Sequence, residues 1–172
     1  RELINQKKIT DIFDWIPFYT ELATKLLEYK DSPSELATAI YSNFDKEKEI
    51  KFLHDGDGSD FKEIDPFTVF SISNRTMKNR VEMIKKMKTI FEVKAKVPTS
   101  FEGLPTQNPM NAAFCCFTEN RTPDSNAIER IWNLFELAQG ENGDMEDVFN
   151  AVLKQTSIAV PKLTMGLFYI RP

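Results

Sequence analysis

Two Asn-Arg-Thr triplets, Asn74-Arg75-Thr76 and Asn120-Arg121-Thr122, hold the residue types best suited to recognition chemistry. Each joins a paired donor and acceptor amide, a guanidinium and a hydroxyl able to cap a helix. Each also follows an apolar run, Phe67 to Ser73 in one copy and Ala112 to Phe117 in the other. An amphipathic pattern comes next, from Met77 to Phe91 and then to about Ala138. A Thr N-cap would leave unpaired N–H groups and partial positive charge beside its Arg, so the triplets predict two similar anion-seeking corners. The competing reading is ordinary turn chemistry with a solvated Arg.

The charge distribution points the same way. The chain has a net charge of -4, yet between Arg75 and Lys96 eight basic residues face two acids, which gives this stretch +6 and leaves -10 elsewhere. Within the helix, Met77, Val81, Ile84, Met87 and Phe91 follow the 3.6-residue period, leaving Lys78, Lys85 and Lys86 outward. A solvated lysine-rich face explains the same pattern. The DNA-binding reading takes Arg75, Lys78, Arg80, Lys85, Lys86, Asn120 and Arg121 as phosphate contacts, and Asn74 or Asn120 as the reader of a base edge. A flipped base would need aromatic walls, for which Phe101, Phe114 and Trp132 qualify by type, though core packing accounts for them as well.

Other chemistries meet their spacing requirements poorly. Asp55-Gly56-Asp57-Gly58-Ser59-Asp60 opens like a calcium loop, then places Asp60 where Gly is needed and Pro66 where a bidentate Glu is needed, so a solvated turn is expected. No Gly-x-x-x-x-Gly-Lys-Ser/Thr run is present to cradle a nucleotide phosphate. His54 is the only histidine, which excludes a His cluster for zinc, and no cofactor is implied. Asp65 with Glu92-Val93-Lys94 imitates the carboxylate pair and lysine of magnesium nucleases, but acid-x-Lys triplets are common, as Glu49-Ile50-Lys51 shows. Cys115 and Cys116 are adjacent in an extended-looking run, where their side chains would face opposite ways and serve as packing residues.

These residues need a scaffold, and 172 residues with 41% apolar content and 14 Phe can supply a single-domain core. No stretch approaches a membrane span and the first residues lack a signal-peptide core, which points to the cytosol. Trp15, Phe18, Tyr19, Leu22, Leu26 and Tyr29 form one helical stripe with Asp14 as expected cap. Ser32-Pro33-Ser34-Glu35 opens a helix burying Leu36, Ile40, Tyr41 and Phe44. Asp45 to Glu63, charged and Gly-bearing, reads as a long connection or short irregular strands. Thr122-Pro123-Asp124 opens a helix carrying Ile128, Ile131, Trp132 and Phe135, and Asp144 caps a last one with Val148, Val152 and Leu153. With Phe67 to Ser73, Ala112 to Phe117 and Leu163 to Ile170 as strands, the expected class is α+β: mostly helical, with a small three-stranded sheet built from strand-turn-helix units.

Several phrases look like the amino-terminal region of McrB-like restriction proteins. They are Phe13-Asp14-Trp15-Ile16-Pro17-Phe18-Tyr19, Ile64-Asp65-Pro66-Phe67-Thr68-Val69-Phe70, Val97-Pro98-Thr99-Ser100-Phe101-Glu102-Gly103-Leu104-Pro105 and Leu163-Thr164-Met165-Gly166-Leu167-Phe168-Tyr169-Ile170-Arg171-Pro172. The resemblance implies a non-enzymatic module spanning residues 1–172 that recognises DNA, including modified DNA, in phage defence. It also implies a GTP-hydrolysing AAA+ motor domain beyond Pro172 and a separate nuclease subunit as partners. The alternatives are an assembly or regulatory domain of the same system and, third, a magnesium-dependent nuclease.

Overall fold

The computed structural model describes residues 12–75, 78–108, 112–114, 126–140, 144–155 and 158–172. Seven α-helices are found among them: α1 (Ile16–Leu26), α2 (Pro33–Asn43), α3 (Pro66–Asn74), α4 (Arg80–Ile90), α5 (Ala127–Gln139), α6 (Met145–Leu153) and α7 (Val160–Ile170). A short 3-10 turn, Leu27–Tyr29, extends α1. Every residue of α3 is buried, and α4, α5 and α7 pack around it, so it is the axis of the fold. Helix α7 also lies along α1, and α6 rests on α5.

No strand occurs among the described residues, so the expected three-stranded sheet is not present. Phe67 to Ser73 lies inside α3 and Leu163 to Ile170 inside α7, while Ala112 to Phe114 is irregular and Cys115 to Phe117 falls outside the described residues. For α3 the physical reason is that a helix buried on all sides shows no polar face, so its apolar run is indistinguishable by period from a buried strand; α7 keeps an exposed side, but apolar residues such as Val160 and Pro161 stand on it. The start signal was nevertheless present. Asp65 is extended and its carboxylate accepts from the Thr68 N–H at 2.9 Å, with Pro66 in the first turn, where a missing N–H costs nothing. Helix α7 shares the proline in its first turn, Pro161, but its N-cap Ala159 makes no side-chain bond. The first strand-turn-helix unit therefore dissolves: Asn74 ends α3, Arg75 is its C-cap, and Thr76 lies outside the described residues, as does most of the second copy, including Asn120, Arg121 and the expected cap Thr122-Pro123-Asp124.

The remaining helices follow their patterns closely. Trp15, Phe18, Tyr19, Leu22 and Leu26 are buried on α1, although its N-cap is Trp15 and not Asp14. Leu36, Ile40 and Phe44 are buried beside α2, and Ile131, Trp132 and Phe135 on α5. Asp144 caps α6 by accepting from the Glu146 N–H. Helix α4 turns Ile84, Met87 and Phe91 inward as expected, but leaves Val81 exposed and buries Met83.

The segment after α4 is tied to α1 by carboxylates. Glu21 accepts the backbone N–H groups of Lys94 and Ala95, both at 2.7 Å, and Asp14 accepts the N–H and hydroxyl of Thr99 at 2.6 and 2.8 Å. Gly103, at φ +80°, turns the chain back beneath Phe13. The Lys94 and Ala95 N–H bonds depress the Glu21 carboxyl, and the Thr99 backbone and side-chain bonds depress that of Asp14. Folded-state values below the unfolded ones mean that both carboxylates stabilise above their ordinary range and lose that contribution as pH falls through the depressed values. Thermal melts below about pH 4 should thus show a steeper loss of Tm in the native chain than in Glu21→Gln or Asp14→Asn. Parallel acid profiles would refute this account of the strap.

Candidate functional site

The expected anion-binding residues part company in three dimensions. Asn74 and Arg80 are buried, at 0% and 3% exposure, and Arg75 is half-buried over the Phe52 ring at 4.4 Å with a long contact to the Glu49 carbonyl. Burial also draws the Arg75 guanidinium below its ordinary pKa. As the C-cap of α3, Arg75 stands at the negative end of a helix, the reverse of the expected corner. Lys86 reaches the Glu49 carboxylate at 2.6 Å and Lys85 pairs with Glu82 at 2.9 Å. Lys88, one turn on, donates to the carbonyls of Val93, Lys94 and Ala95. Lys78 is exposed, and Asn120 and Arg121 lie outside the described residues. The basic stretch is therefore largely engaged by its own chain.

Arg80 instead organises a buried polar cluster where five segments meet. Its Nε donates to the Ser73 carbonyl at 3.0 Å, its Nη2 to the Thr106 hydroxyl at 3.3 Å, and its guanidinium stacks over Phe101 at 5.2 Å. The Gln107 N–H donates to the Asn74 carbonyl at 2.9 Å, which clamps the loop following Gly103 onto the end of α3. From α1, the Tyr19 hydroxyl donates to Asn74 Oδ1 at 2.7 Å, and from α7 the Tyr169 hydroxyl donates to the Pro105 carbonyl at 3.2 Å. Burial pushes Tyr19 up to about 12 and raises Tyr169 as well, so both stay neutral donors at physiological pH.

Three polar atoms of this cluster have no partner among the described residues: Asn74 Nδ2, Gln107 Nε2 and Gln107 Oε1. Buried amides are normally satisfied, so these atoms make the cluster the least well compensated part of the interior. Neither Gln107 nor the two tyrosines stood out in the sequence. Tyr19 merged into an apolar stripe, and Arg80 was one of eight cations in the basic stretch, with exposed neighbours on both sides.

The remaining motifs resolve as structure. Asp65 spends its carboxylate on the Thr68 N–H and hydroxyl, while Glu92 sits exposed in a left-handed turn at φ +52°. Asp55 and Asp57 accept from Gly56 and Ser59 within their own turn, and Asp60 pairs with Lys46. Phe114 and Trp132 are core residues, whereas Phe101 is the lid over Arg80. Among the described residues no group of three His, Cys, Asp or Glu could hold a metal ion, and no helix is long and apolar enough to cross a membrane.

A second surface stands out by its incomplete burial. On α6 only Val152 is fully buried, while Met145, Val148, Phe149 and Leu153 pack against the core but keep some exposed surface beside the exposed acids Asp144, Glu146 and Asp147.

Comparison with known families yields one match, over residues 15–172, to a family described as Domain of unknown function (DUF8425). No curated protein and no solved structure matches the chain.

Proposed function

The chain belongs to the DUF8425 family, and we propose that it is a non-enzymatic assembly module that docks on the AAA+ motor protein of a McrB-like system. The observation that carries this reading is α6. This surface helix of nine residues has one fully buried side chain, its other apolar residues pack on the core with a residual exposed edge, and its acidic flank would complement a groove with a basic rim. The engagement of Arg75, Arg80, Lys85 and Lys86 within the chain supports the choice over a direct DNA reader, since phosphate binding needs concentrated, available cations. The resemblance to McrB-like proteins supplies the partner.

Mixing the chain with the parent motor domain should give a complex in analytical ultracentrifugation, lost on charge reversal of the exposed acid in Asp147→Lys while the melting profile is retained. Gel shifts with methylated and unmethylated duplexes form the opposing arm. Binding whose constant falls with salt at a log-log slope of roughly -5, as about six phosphate contacts demand, would overturn the assembly reading in favour of DNA recognition.

A further inference from the structure

We infer that the outward side of α7 is a self-association surface, which pairs with α7 of a second copy of this chain across a two-fold axis. The inference does not draw on the docking edge of α6.

Helix α7 turns Leu163, Gly166, Tyr169 and Ile170 into the core, and Gly166 lets it approach α3 so closely that a Cβ there would lie 2.9 Å from the Phe67 ring. The opposite side faces solvent. Val160, Pro161 and Thr164 are exposed, and Met165, Leu167 and Phe168 keep part of their surface. At the helical period these six residues occupy one half of the cylinder, and none of them is charged. From Gln155 to Ile170 the only charged residue is Lys162, and it is turned inward, where its ammonium donates to the Ala113 carbonyl and lies over the Phe114 ring. A surface helix normally carries charge on its outward side, and one that is apolar on both sides is characteristically covered. Thr164, the polar member, spends its hydroxyl on the Val160 carbonyl at 2.9 Å, so covering it strands no donor. Near the end of α7 the Phe168 ring packs on Trp15 at 5.8 Å, and Phe13, 45% exposed, touches the same indole.

The absence of charge also selects the occupant. Across a two-fold axis each residue meets its own kind, so a face with charges of one sign repels its copy, as the three acids beside α6 would. The outward side of α7 has nothing to repel its copy and nothing for an ionic partner to read. An antiparallel crossing at Thr164 sets Val160 of one copy beside Phe168 of the other, apolar against apolar. A helix of 11 residues is about 16 Å long, short of what a tight interface needs, so the association is weak, with a Kd on the order of 10 μM.

Sedimentation velocity of the whole chain from about 1 μM to about 1 mM should show monomer giving way to dimer. Thr164→Arg sets like charges opposite each other and should weaken that association at least about tenfold. Helix content by circular dichroism should not change, because the Thr164 side chain is exposed and bonds only its own helix. Thr164→Glu should act in the same way alone, whereas an equal mixture of the two variants should dimerise again, since the axis then brings opposite charges together. Thr164→Ala keeps the face apolar and should associate as the native chain does. A native chain that stays monomeric throughout would overturn the proposal and leave the face to a different protein. So would association indifferent to Thr164→Arg, or a mixture that stays monomeric. Asp147→Lys should leave the dimer intact, which keeps failure of the dimer distinct from failure of the motor complex.

Discussion

Arg80→Ala should destabilise the chain by about 2–4 kcal/mol in urea denaturation, through lost bonds to a charged donor and a lost stack. The magnitude follows from where the guanidinium goes. Helix α3 ends in the interior, so its terminal carbonyls cannot turn to water and must find partners elsewhere. Asn74 O receives the Gln107 N–H and Ser73 O receives Arg80 Nε, so removing Arg80 strands a buried acceptor and takes the Thr106 bond from a loop otherwise held through Gln107 and Pro105. Lys85 is the control from the same helix. Its pair with Glu82 is exposed and three residues apart, and Lys85→Ala should change stability by no more than about 0.5 kcal/mol. Equal, small effects at both positions would show that Arg80 is not the structural link between α3, α4 and the loop.

Phe70→Ala should cost about 3–5 kcal/mol, the range for deleting a fully buried aromatic side chain, and lower Tm by on the order of 10 °C for a chain of this size. Phe70 has no exposed surface and contacts rings from three other helices. Tyr19 lies 5.4 Å away, Tyr169 stacks at 6.2 Å and Phe135 sits at 6.4 Å between centroids. Its loss would therefore leave a void bordered by α1, α5 and α7 together, with no single neighbour free to fill it. It would also loosen the tyrosines that close the polar cluster. Phe13→Ala is the contrasting change, since Phe13 is 45% exposed and makes one edge contact to Trp15. A Phe70→Ala protein as stable as Phe13→Ala would mean that α3 is not the axis of the core.

The amphipathic helices were legible because their polar faces meet water and their apolar faces meet the core, which imposes the 3.6-residue period on α1, α2 and α5. Helix α3 was misread as a strand because burial erases that contrast, and α7 because its exposed side is itself largely apolar, leaving Asp65-Pro66 and Pro161 as the local signs of a helix start. Asp65 shows the same ambiguity at the level of one residue: a carboxylate in apolar surroundings fits a metal ligand or a buried cap until its acceptor geometry is known.

Amino-acid order alone determined where the exposed helices run, which of their faces turn inward, and the concentration of positive charge between Arg75 and Lys96. Tertiary structure decided what that charge does. Arg80 turns into the interior toward Ser73, Thr106 and Phe101, and Lys86 turns toward Glu49, because partners up to thirty-seven residues apart in sequence are brought within bonding distance by packing. Periodicity records only whether a side chain faces water. The identity of its neighbour, and hence whether a cation is a contact surface or an internal fastening, depends on segments that meet only when the chain is folded.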